Sequence, residues 1–157
     1  MLIGAIVVST FAVIWVAAGT RNLGRRWFSW LISISILISL GVIFAAGKIA
    51  LAHPATFNGK AYGLSVAFEA VLISLAILFL GSGDRKRFLL PIISIIVGLH
   101  FFGLVWAFGS NEYWSVGSAM CLLSILTMSI LRRNLWDSVV GLGCAVILWF
   151  SVICAFF

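Results

Sequence analysis

An all-α, polytopic membrane protein is what this sequence predicts, and three observations predict it. Of its 157 residues 64% are hydrophobic and only 9% are charged, whereas a soluble domain is about half apolar and about a quarter charged. The apolar residues gather into six runs, and each is close to the roughly 20 residues that cross a bilayer core. Eight of the ten basic residues fall in alternate connections between those runs. The composition excludes a water-soluble enzyme, a nucleic-acid reader and a disordered tail, because none of these covers so much apolar surface.

The runs cover 2–18, 27–47, 62–80, 88–108, 114–131 and 138–157. They predict a bundle of six transmembrane helices with short loops, forming a single domain over 1–157. Open sheets would leave unpaired backbone groups in lipid, and barrel strands would be shorter and would alternate. Run 1 ends on Val16-Ala17-Ala18-Gly19, which resembles a signal cleavage site. No basic residue precedes it, and Arg21, Arg25 and Arg26 follow it. That is the reverse of signal-peptide order, so helix 1 is expected to stay in the membrane. Run 2 carries Ser29, Ser33, Ser35 and Ser39 in two i,i+4 pairs, which read as a helix–helix face. Pro91 falls in the first turn of run 4, where its missing N–H matters least. Gly98, Gly103, Gly109, Gly117, Gly141 and Gly143 read as packing positions, as do Cys121, Cys144 and Cys154, which form no CxxC pattern.

Basic residues set the expected orientation. Arg21, Arg25 and Arg26 lie between runs 1 and 2; Arg85, Lys86 and Arg87 lie between 3 and 4; Arg132 and Arg133 lie between 5 and 6. The remaining two, Lys48 and Lys60, fall in the 2–3 connection. Positive charge collects on the cytoplasmic side, so the expected protein is a multi-pass inner (plasma) membrane protein with cytoplasmic basic loops and both termini outside. Its first partner is then the lipid bilayer, whose anionic headgroups account for the basic surplus without nucleic acid. Trp27, Trp30 and Trp136 at one set of ends, and Tyr62, Trp106, Tyr113 and Trp114 at the other, read as interfacial belts. Trp15 and Trp149 sit deeper and read as packing or lipid-facing residues.

Two ionisable residues lie well inside the runs, Glu69 and His100. Glu69 is seven residues in from the outer end of its run at Tyr62, and His100 is eight in from Phe108. At a rise of 1.5 Å per residue both lie about 10–12 Å deep. The connection between these runs is short, so the helices are expected to be antiparallel neighbours with the carboxylate and imidazole at one level. Ser65 and Tyr62, four and seven residues before Glu69, share its face, while Gly103 and Ala107 leave room on the face of His100. Lys48, His53 and Lys60 stand toward the outer side. Glu69, His100, Ser65, Tyr62 and Lys48 are therefore the candidate ligand- or proton-binding residues.

Patterns that would carry catalysis are absent from the sequence. There is no HExxH, two histidines on different elements do not supply a three-ligand zinc site, and no phosphate loop or dinucleotide fingerprint occurs. Asp84 and Asp137 fall in the basic connections, away from the paired intramembrane positions that an aspartyl protease needs. No metal and no cofactor is expected. The run Ile95-Ile96-Val97-Gly98-Leu99-His100-Phe101-Phe102 resembles a Gly-Leu-His-Phe signature of small multi-spanning bacterial membrane proteins. That resemblance implies a bacterial inner-membrane setting and draws attention to His100; it brings no activity with it. A 3+3 division of the helices would place Glu69 and His100 on either side of the repeat boundary, as in inverted-repeat transporters.

These residues point to binding or transport of a small solute or ion, proton-linked, through an outward-facing polar site at Glu69 and His100. A chain this small leaves room for a homo-oligomer to enclose a path. The alternatives are a non-transporting interaction or structural module braced internally by the pair, and a membrane enzyme using the pair as acid and base.

Overall fold

The computed structural model describes residues 2–49 and 57–154, and these are helical nearly throughout. The elements in order are α1 (Leu2–Thr20), α2 (Arg25–Ile49), α3 (Gly59–Leu80), α4 (Leu89–Phe108), α5 (Glu112–Ile130) and α6 (Trp136–Cys154). Short 3₁₀ turns over Gly83–Phe88 and Arg133–Leu135 precede α4 and α6. Among the described residues no strand occurs, and five helical stretches are long and apolar enough to cross a membrane. The apolar part of α1, Ala5–Thr20, is shorter. His53 and the side chain of Lys48 lie outside the described residues, as do residues 155–157.

Several helices begin two or three residues before their apolar runs. α5 starts on Glu112, because a carboxylate in the first turn meets the positive end of the helix dipole. α3 starts at Gly59, because Asn58 caps it: its Oδ1 accepts from Ala61 N–H at 3.2 Å. Asp137 likewise belongs to the first turn of α6, and Asp84 to the 3₁₀ turn. α4 ends on Gly109, whose φ of 66° is a left-handed cap and whose N–H returns to Val105 O at 2.8 Å. Of the six glycines expected at packing positions, this one serves backbone conformation.

The chain forms two compact units, Met1–Ala55 with Gly141–Phe157, and Thr56–Val140. In the first, α1 packs on α2. Ser39 Oγ donates to Ser9 O at 3.1 Å and accepts from Trp149 Nε1 at 3.0 Å. The serines of α2 divide: Ser35 and Ser39 are buried, while Ser29 and Ser33 are exposed and donate back to Arg25 O and Ser29 O. Only the second pair of the expected serine face is buried, and within it Ser39 makes the interhelical bonds while Ser35 donates back to Ile32 O at 2.8 Å. Trp15 is buried beside Gly19, and a Cβ on Gly141 would stand 2.7 Å from Trp15 O, so α6 approaches the α1 backbone directly.

In the second unit α4 lies between α3 and α5 and carries most of the buried residues. Its contact with α5 is a glycine crossing. A Cβ on Gly98 would meet Gly117 O at 2.9 Å and Cys121 Sγ at 2.7 Å, and one on Gly117 would meet the Phe102 ring at 2.6 Å. Without a hydrophobic drive between helices in lipid, such close approach supplies the van der Waals contact that holds them. α3 is different, for Ala76 is its one buried residue among those described. Its opposite face, with Leu64 and Leu78 about three-quarters exposed, suits contact with lipid. Ser74 on that side satisfies its hydroxyl at Ala70 O. Trp136, expected in an interfacial belt, is instead buried with its ring against Phe88 and its Nε1 on Leu131 O.

The glycine crossing yields a direct test. Gly98→Ala and Gly117→Ala force backbone apart and should each lower stability by about 1–3 kcal/mol in micelles. Gly41→Ala, where a Cβ meets nothing within 4 Å, should leave the unfolding midpoint unchanged or higher. Thermal unfolding followed by circular dichroism measures all three.

Candidate functional site

The polar centre of the second unit is assembled from one turn of α3 and one residue of α4. Ser65 and Glu69 are four apart and so lie on one face of α3. Opposite them, His100 presents Nδ1 to both: Ser65 Oγ stands 3.0 Å away and Glu69 Oε2 3.4 Å. Ser65 Oγ also donates to the backbone carbonyl of His100 at 3.1 Å. The two ionisable side chains are nearly enclosed, His100 at 10% and Glu69 at 13% exposure. The approach that makes this possible depends on Gly103, one turn beyond His100. A Cβ there would collide with Ser65 Oγ and stand 3.0 Å from its Cβ.

Hydrogen counting restricts the site. A serine hydroxyl has one proton to give. Given to His100 O, it leaves the Ser65 lone pairs to accept from Nδ1–H, and the neutral imidazole then keeps Nε2 as its basic nitrogen. At 3.4 Å Glu69 is beyond an ordinary N–H···O hydrogen bond, so its attraction to a protonated ring is chiefly coulombic. In a low-dielectric setting a lone carboxylate is costly, and the imidazolium is the neighbour that offsets it.

Beside this centre lies an aromatic arc, of which only Tyr62 and Tyr113 are expected from the sequence in an interfacial belt. His100 packs edge-on against Phe101, Phe101 against Tyr113, Tyr113 against Phe108, and Phe108 against both Tyr62 and Phe57, at centroid distances of 5.5–6.0 Å. Tyr62 thus belongs to the rings flanking the site. Asn58 N–H donates to Ala107 O at 2.8 Å and ties the start of α3 to the end of α4. The structure therefore unites Glu69, His100 and Ser65, sets Tyr62 in the adjoining aromatic cluster, and leaves the Lys48 side chain outside the described residues. Lys60 is exposed. The sequence does not single out Phe57, Asn58, Phe101 and Phe108 as site residues, although Phe101 adjoins His100 and Phe108 closes its run.

Comparison with known proteins finds nothing similar: no family model, no curated protein and no solved structure matches the chain. Function is therefore argued from the site itself. Among the described residues, no group of three His, Cys, Asp or Glu side chains stands together as a metal site.

The coupling between the two ionisable groups is measurable. A double-mutant cycle with Glu69→Ala and His100→Ala should return about 0.6–1.7 kcal/mol, the range of interhelical polar contacts in membranes. Ser65→Ala should cost about 1 kcal/mol on its own. A cycle energy of zero would show that the two groups do not interact.

Proposed function

We propose that this protein binds or transports a small solute or ion in a proton-linked manner at Glu69 and His100. The observation that carries the reading is a carboxylate and an imidazole 3.4 Å apart, both nearly enclosed, in helices apolar enough to cross a membrane. Ionisable residues at that depth are costly to keep, and they recur in proton relays and ion paths. Histidine is the side chain suited to exchange protons near neutral pH. The pair is neutral overall in two states, carboxylate with imidazolium or carboxylic acid with imidazole. A monovalent cation beside Glu69 would replace the imidazolium charge and release one proton, which couples the two movements.

The setting belongs to the same proposal: a bacterial inner-membrane protein with six spans, basic loops in the cytoplasm, both termini outside, and a homo-oligomer where one chain does not enclose a path. The distribution of basic residues and the Gly-Leu-His-Phe run support it. A second reading is favoured by one observation. Ser65 bonds to the His100 backbone as well as its ring, which is what an internal brace between α3 and α4 requires.

Reconstitution separates the two. Liposomes holding the protein and a trapped pH-sensitive dye, given a proton gradient and either Na⁺ or K⁺ outside, should exchange protons faster than empty liposomes. Glu69→Gln and His100→Ala should cut that rate at least tenfold while helicity and melting persist. Wild-type liposomes as tight as empty ones, with variants that unfold, would leave the brace reading standing and remove the transport reading.

A further inference from the structure

The other charged feature of the second unit lies where its two basic turns meet. The turn Gly83–Phe88 supplies Arg85, Lys86 and Arg87, and the connection from α5 to α6 supplies Arg132 and Arg133. Sequence alone leaves these as separate loops. In the fold, Phe88 at the start of α4 and Trp136 at the start of α6 pack edge to face at 5.2 Å, which draws the turns to one end. Trp136 is buried and its Nε1 holds Leu131 O at 3.1 Å, so the second turn is fixed by the residue that anchors it. The two turns joined by this contact together carry five cations and, counting Asp84 and Asp137, two acids.

Three further observations indicate what this end accepts. Arg85, Lys86, Arg132 and Arg133 are exposed, so their charge is open to a ligand. Arg87 is half-buried over the Phe88 ring, and its Nε is shut from solvent with no hydrogen-bond partner. That Nε has no acceptor within the protein, and the half-exposed remainder of the guanidinium presents the planar fork that a phosphate oxygen matches. Beside the cations, Ile130, Leu131 and Leu135 are exposed apolar side chains at the same end. A ligand that satisfies both sets has an anionic phosphate and hydrocarbon chains.

We propose that the two turns together bind one anionic phospholipid, its phosphodiester held between Arg87 and the Arg132–Arg133 pair. Its acyl chains lie along Ile130, Leu131 and Leu135. The general attraction of basic loops to a charged leaflet spreads over all loops and all headgroups; this site is local and composite. It is independent of Glu69 and His100.

Native mass spectrometry of the full chain in detergent, with equimolar phosphatidylglycerol and phosphatidylcholine, tests it. The wild type should retain phosphatidylglycerol in preference. Arg87→Gln with Arg132→Gln should weaken retention by about 25-fold, about fivefold for each cation removed. Arg87→Lys with Arg132→Lys should recover most of the charge-dependent part and so control for folding. Arg21→Gln with Arg25→Gln, which remove as much charge from the remaining basic loop, should change retention less than twofold. Glycerol 1-phosphate at millimolar concentration should not compete, since it lacks the chains. Equal retention of the two lipids, an equal loss in the Arg21/Arg25 variant, or competition by glycerol 1-phosphate would each overturn the proposal.

Discussion

Hydrocarbon offers no partner to a polar group and no hydrophobic reward for bringing two apolar helices together. Everything in the Thr56–Val140 unit answers to that constraint. α4 meets it by two kinds of contact. Toward α5 it uses absence of side chain, with Gly98 and Gly117 letting backbone meet backbone. Toward α3 it uses polarity, with Ser65 and Glu69 gathered on His100. Gly103 serves the second contact as Gly98 serves the first, because Ser65 reaches the His100 carbonyl only where no Cβ intervenes.

The same constraint explains why α3 holds its place with so little buried. One apolar residue, Ala76, is enclosed along its length among those described. Its position follows instead from directional bonds at separate levels: Asn58 to Ala107 O at one end, and Ser65 to His100 about two turns further in. Directional bonds fix both height and rotation, whereas apolar contact with lipid fixes neither. The Ser65–His100 bond is therefore a structural requirement even if Glu69 is used chemically. Brace and proton site are compatible roles for different atoms of one cluster.

How much of this was legible follows from what each signal depends on. Helix positions depend on the length of apolar runs, and those were readable to within a few residues. The differences fall at Asn58 and Glu112, where capping and dipole terms extend a helix into polar sequence, and at Arg25, where α2 begins on two arginines that neither term explains. The meeting of Glu69 with His100 was readable because depth is a residue count and the connection is short. Rotation was not readable, since helices apolar on every side carry no periodic face to orient them. That is why the two hydrogen bonds of Ser65 to His100, the aromatic arc from Phe101 to Phe57 and the burial of Trp136 appear only in the fold. A tryptophan at a run end fits an interface belt or a buried anchor equally well by position.

The hydrogen bonding of the cluster turns on where the Ser65 hydroxyl proton points. Ser65 has one hydrogen, and the carbonyl of His100 is held fixed by its helix while Nδ1 is not committed to either tautomer. With the hydroxyl proton on the carbonyl, Nδ1 must be a donor, and Glu69 then faces an N–H rather than a lone pair. The repulsive arrangement of carboxylate against nitrogen lone pair is thereby removed at 3.4 Å. Nε2 is then the nitrogen left with a lone pair, on the side of the ring away from Ser65, and in the proposed function it is the one that takes up and releases the proton. A proton taken up there charges the ring against Glu69, and one lost there leaves a carboxylate that needs another cation. The backbone bond that braces α3 on α4 is thus also what selects the ring nitrogen left free to exchange protons in the proposed proton-linked function.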